Sequence, residues 1–155
     1  MLLIFSIFVT ALTSVKGCDQ VLIGDNGTIS SPGWPMRYPL NIECTYDIIV
    51  SEGNRVRIEF VNMSVETSSG CGYDSVKIYD TNTSNVLDTL CGYTTGQVYH
   101  SSANFMTVVF NSDDVQDDYG FVAVFSSEES RSKALLQLIN ITILGQSDFL
   151  GGRKI

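Results

Sequence analysis

The sequence predicts an all-β fold: an antiparallel two-sheet β-sandwich of jelly-roll character, stapled by two disulfides. Three observations lead there. Short apolar segments alternate with period two, polar turn signals separate them, and four cysteines follow an apolar leader. Such alternation puts every second side chain on one face of a strand, and a series of short strands without helical periodicity closes as two packed sheets.

The first segment stands outside the fold. Leu2 to Leu12 is an almost unbroken apolar run, shorter than the roughly 20 residues a membrane span needs. It reads as the apolar part of a secretory signal, with Val15 and Gly17 as small residues before a cut at Cys18. The alternative is a lipidated Cys18. Lys16 fits that signal poorly, and lipidation would orphan a second cysteine. The expected division is a signal peptide at 1–17, a domain at 18–127, and a linker and tail at 128–155.

The strands follow in order. Tyr46, Ile48 and Val50 form one inward face, and Val56, Ile58 and Phe60 form the next. The Ser51-Glu-Gly-Asn turn between them reads as a hairpin. Val76 and Ile78, then Met106, Val108 and Phe110, then Phe121, Ala123 and Phe125 supply the remaining inward faces. Beyond a polar Ser126–Lys133 linker, Ala134 to Leu144 is an apolar patch too short to span a bilayer. A short helix and a disordered tail both fit it. The closing Gly-Gly-Arg-Lys-Ile argues against a lipid-anchor signal, which requires an apolar end.

Cys18, Cys44, Cys71 and Cys91 form an even set, as a disulfide framework in an oxidising compartment requires. No Cys-x-x-Cys pair occurs and His100 is the only histidine, so zinc is disfavoured. Four cysteines allow three pairings. The sequential one, Cys18–Cys44 and Cys71–Cys91, closes two local loops and is the one expected, each bond contributing roughly 2–4 kcal/mol. Sequons at Asn26, Asn62, Asn82 and Asn140 agree with secretion, and Asn82 lies in the most polar stretch.

Residues 18–127 hold 14 acidic and 4 basic side chains, a formal −10, whereas residues 128–155 hold 3 and 4. A domain so acidic repels nucleic acid and anionic lipid surfaces and suits cations, either metal ions or basic side chains. It contains no nucleophile elbow and no His-Glu-x-x-His, so no enzyme is expected. His100, between Tyr99 and Ser101, reads as a surface loop residue.

Six segments then occur in a telling order: Gly27-Thr-Ile-Ser-Ser-Pro-Gly-Trp-Pro-Met-Arg-Tyr-Pro39, Cys44-Thr-Tyr-Asp-Ile48, Cys71-Gly-Tyr-Asp-Ser-Val76, Leu90-Cys-Gly92, Phe110-Asn-Ser-Asp113 and Gly120-Phe-Val-Ala123. Together they resemble the CUB domain family over residues 18–127. In the family's calcium-binding members, three carboxylates meet at one end of the sandwich, and the matching positions here are Glu66, Asp74 and Asp113. Carboxylates suit Ca²⁺, a hard cation taking 6–8 oxygen ligands at about 2.3–2.6 Å. The backbone carbonyl of Val115 and water would complete the shell. From the residues alone, Asp74 and Asp113 serve equally as turn caps, and Glu66 as a solvated side chain. Asn26 stands where the family often has a supporting tyrosine, and a glycan on it would crowd the site. Asp114, Asp117 and Asp118 read as an acidic rim. The resemblance implies a binding module for an extracellular protein with exposed Lys or Arg side chains. The alternatives are a neutral-glycan binder, as in the spermadhesins, and an accessory domain of a larger extracellular protease.

Overall fold

A computed structural model describes residues 17–81 and 83–150. The apolar leader and the Asn82 sequon lie outside the described residues. The strands, in chain order, are β1 (Gln20–Ile23), β2 (Asn26–Ser30), β3 (Glu43–Ile49), β4 (Asn54–Val65), β5 (Ser75–Tyr79), β6 (Val86–Leu90), β7 (Gly92–Thr94), β8 (Gln97–His100), β9 (Phe105–Asn111) and β10 (Gly120–Glu129). They form two sheets. Sheet A has the order β1-β3-β9-β5-β6, and sheet B has β2-β10-β4-β7 with β8 also on β4. Every pairing is antiparallel except β1 with β3.

The inward faces read from the sequence make the core. Tyr46, Ile48, Val56, Ile58, Phe60, Val76, Ile78, Met106, Val108, Phe110, Phe121 and Ala123 are all fully buried, and Val50 and Phe125 are 4% exposed. Tyr46, Phe60 and Phe110 each meet the Phe121 ring, at centroid distances of 5.6–5.9 Å. These offset and edge contacts suit the ring quadrupoles and lock the two layers together.

The turn at 51–54 differs from the expectation. Asn54 N–H donates to the Ser51 carbonyl at 3.2 Å, and Gly53 takes φ +79°. Yet β3 pairs with β1 and β9, and β4 with β10, β7 and β8. The turn is an arch that carries the chain from one sheet to the other, not a hairpin. Turn chemistry is the same for both; only the choice of neighbour separates them.

His100 also departs from its expected place. It ends β8 opposite Arg57, and its Nε2 lies 3.2 Å from Glu128 Oε2. The disulfides are Cys18–Cys44 and Cys71–Cys91. The first ties the start of the domain to β3, and the second pins the short helical turn Ser69–Cys71 beside the end of β6. Beyond the sandwich, Arg131–Leu150 forms a helix, α1, anchored at its start where Lys133 Nζ donates to Asn54 Oδ1 at 3.0 Å. Among the described residues no helix is long and apolar enough to cross a membrane.

Candidate metal centre

Three elements deliver carboxylates to one end of the sandwich. Glu66 is the first residue past β4, on sheet B. Asp74 immediately precedes β5, and Asp113 follows β9 by two residues; Ser75 is in register with Asn111, so both carboxylates leave sheet A side by side. One oxygen of each lies within 4.8 Å of the others. The end of the sandwich thus brings together residues 47 positions apart in the chain, a convergence that only the packed fold provides.

Tyr38 organises them. It lies in the loop between β2 and β3, is 1% exposed, and sets its ring against Phe110 at 5.0 Å. Its hydroxyl donates to Asp74 Oδ2 at 2.6 Å and accepts the Glu66 N–H at 3.1 Å. One phenol therefore joins the Glu66 backbone on sheet B to the Asp74 side chain on sheet A. Burial first, and then the Asp74 bond, raise its pKa, which keeps the hydroxyl a donor. Tyr38 was visible only as one aromatic in the proline-rich opening stretch. Nothing in the sequence marked it as a partner of Asp74.

The remaining contacts fix the two aspartates. Asp74, fully buried, accepts the Asp113 N–H on Oδ1 at 2.7 Å. Asp113 Oδ1 accepts the Val115 N–H at 2.9 Å, and its carbonyl accepts the Asn41 N–H at 2.6 Å. Asp113 is thus a turn cap as well. Capping does not exhaust it, because each carboxylate oxygen carries a second lone pair for a cation.

Glu66 is different. It is 9% exposed rather than solvated, and its Oε2 is buried without a hydrogen-bond partner. Burial, then Asp74, then Asp113 push its pKa above the usual carboxylate value. A buried carboxylate oxygen without a donor is unfavourable unless a cation meets it. Three converging carboxylates, one of them unsatisfied, match the oxygen donor set of a hard dication.

The surroundings refine the expectations for the neighbours. Asn26 is in register with Ser126, which pairs with Arg57 on β4, nine positions before Glu66. A glycan on Asn26 would therefore stand at the opposite end of the sheet and leave the carboxylates clear. On the rim, Asp117 Oδ1 takes Arg37 Nη1 at 2.7 Å, and Asp118 Oδ2 takes Ser64 Oγ at 2.6 Å. Asp114 and the Val115 side chain are exposed. Of the other sequons, Asn140 is exposed on α1 and Asn62 half-buried on β4.

Comparison with known proteins places this geometry. A family profile described as "CUB domain" matches residues 18–125. Ovochymase of Halocynthia roretzi is 36% identical over 119 residues, covering 72% of this chain and 8% of that protein. Tolloid-like protein 1 of Homo sapiens is 34% identical over 113 residues, covering 72% of this chain and 11% of that one. The chain therefore spans about a tenth of the length of these relatives. Among solved structures, the MASP-1 CUB2 domain bound to Ca²⁺ superposes with a TM-score of 0.62 at 28% identity, covering 68% of this chain and 96% of that one. With its profile match, its relatives and its two-disulfide sandwich all in agreement, this chain belongs to the CUB domain family.

Proposed function

We propose that the chain is a secreted, calcium-dependent protein-binding module without catalytic activity of its own. Glu66, Asp74 and Asp113, with the backbone carbonyl of Val115, would hold one Ca²⁺, and the ordered loops would take a basic side chain of an extracellular partner. The observation that carries this reading is that Glu66, Asp74 and Asp113 each bring a carboxylate oxygen within 4.8 Å of the others, while Glu66 Oε2 is buried without a partner. The Ca²⁺ in the related MASP-1 CUB2 domain supports it. Three carboxylates around a dication keep a formal −1, so a Lys or Arg could still bond to oxygens the metal holds in place. The signal peptide at 1–17 and glycans at Asn26, Asn62, Asn82 and Asn140 complete the proposal.

The test is thermal melting in calcium and in chelator. Calcium should raise the Tm by mass action, and Asp113→Ala should abolish the rise. Identical wild-type curves in the two conditions would remove the metal. Capture of the extracellular partner should need calcium and weaken as salt rises.

Proton and metal should compete at Glu66. Its folded pKa is raised, so without metal its contribution to stability is fully present below about pH 4.5 and is lost as pH rises through the folded value. Calcium needs the carboxylate, so its affinity should fall as pH drops through that window. Glu66→Gln should then raise the Tm in chelator at neutral pH, yet shrink the calcium-induced rise. A variant that melts below wild type in chelator would contradict this account of Glu66.

A further inference from the structure

The two outer faces of the sandwich differ in chemistry. Sheet B carries a charged network: Arg55 and Arg57 both reach Glu128, at 3.1 and 3.6 Å, and Arg57 also meets Glu59 at 2.7 Å. Sheet A carries exposed and half-buried apolar side chains on the same outer face as Glu43, Asp47 and Lys77. Val21 and Ile23 on β1 are 66% and 80% exposed. Beside them Ile49, Phe105, Val109 and Tyr79 are half-buried on β3, β9 and β5. Register joins three of them in one row, since Ile23 pairs with Ile49 and Ile49 with Phe105. On the outer face of β9, Phe105 and Val109 are half-buried and flank Thr107, which is 2% exposed.

We propose that the outer face of sheet A is a dimer interface, packed face to face on the same face of a second copy, with the two-fold axis along β9. Charge placement selects this occupant. The charged residues in phase with the patch on β3 and β5 are Glu43, Asp47 and Lys77. Thr45 is in register with Val109, and Val109 with Lys77. An axis along β9 sets β5 of one copy across from β3 of the other and preserves height along the strands. Each Lys77 then meets the row of Thr45, with Glu43 two residues to one side and Asp47 two residues to the other. Lys77 is exposed and makes no ion pair among the described residues. Asp47 is already oriented by Thr107 Oγ1 at 2.7 Å. The contact is self-complementary, as an isologous interface requires, and aligned sheet packing accommodates it.

The same axis points both carboxylate ends in one direction. A dimer would present two sites to one partner, and linked sites gain affinity through effective concentration. The interface itself does not depend on the metal.

Sedimentation equilibrium of the full secreted chain tests it. Wild type should be dimeric, in calcium and in chelator alike. Lys77→Glu sets a third carboxylate between two others and should raise the dissociation constant by about tenfold or more, as should Ile23→Asp. Combining Lys77→Glu with Asp47→Lys should restore association. Each position is at the surface, and unchanged melting of the dilute variants would confirm folding. A monomeric wild type overturns the proposal. So does a dimer indifferent to Lys77→Glu, which would assign association to the exposed leucines of α1, or a folded charge-swap variant that stays monomeric.

Discussion

Asp74→Ala should destabilise the domain by about 3–5 kcal/mol and remove calcium binding in the same step. The side chain is fully buried and accepts both the Tyr38 hydroxyl and the Asp113 N–H. Truncation strands two donors, the buried Tyr38 hydroxyl and the part-buried Asp113 N–H, and each orphaned buried donor costs roughly 1–3 kcal/mol. The loss falls on both sheets, because Tyr38 also accepts the Glu66 N–H. Asp74→Asn is the discriminating companion. It keeps the volume and one acceptor, so it should retain more stability while still losing the metal. Urea unfolding in chelator, run beside calcium titration, separates the two effects. An Asp74→Ala protein as stable as wild type in chelator would mean that these hydrogen bonds carry little.

Gly120→Ala should cost about 2–4 kcal/mol, although it adds a single methyl. Gly120 has φ +81°, where a side chain is strained, and its Cβ would strike the Ser31 hydroxyl and come within 3.3 Å of the Tyr38 ring. Ser31 is buried and its Oγ accepts the Phe121 N–H at 3.0 Å, so it has little room to yield. Pressure on Tyr38 would reach Asp74 through the hydroxyl, and calcium affinity should fall as well. Gly96→Ala is the control. Its φ is +72° but no atom lies within 4 Å of the added Cβ, so only the backbone cost of roughly 1–2 kcal/mol remains. Equal effects at the two positions would place the whole cost in the backbone and none in the Ser31 contact.

The sandwich was legible because its central strands obey one rule. In β3, β5 and β9, in β4 from Val56 to Phe60 and in β10 from Phe121 to Phe125, every second residue is apolar, and those residues fill the core. The strands that sequence reading did not resolve are short and at edges. Gly92–Thr94 and Gln97–His100 hold only three and four residues, with too few buried positions to establish a period. In β2 only Ile29 is buried, and the glycine and threonine before it resemble a turn. The arch at 51–54 was misread because pairing partners lie elsewhere in the chain. At the site, residue types and the family resemblance pointed to three carboxylates. That Glu66 is buried rather than solvated, and that Tyr38 links it to Asp74, arises from packing between the sheets, where local sequence is silent.

The place of β10 in sheet B bears on how the chain acquires its structure. This last strand lies in the middle of the sheet, paired on one side with β4 and on the other with β2, where Asn26 meets Ser126. A ribosome makes the edge β2 first and the strand that covers it almost a hundred residues later. Until Gly120–Glu129 has emerged, β2 has no neighbour and the inner side of β4 lacks Phe121 and Phe125. Sheet A, by contrast, is complete once Asn111 has been made. Vectorial synthesis thus produces one finished layer with half of its lid missing, and long-range pairing of this kind is slow to form. During that interval the nascent chain exposes apolar surface and open strand edges, the condition in which a chaperone has most to hold.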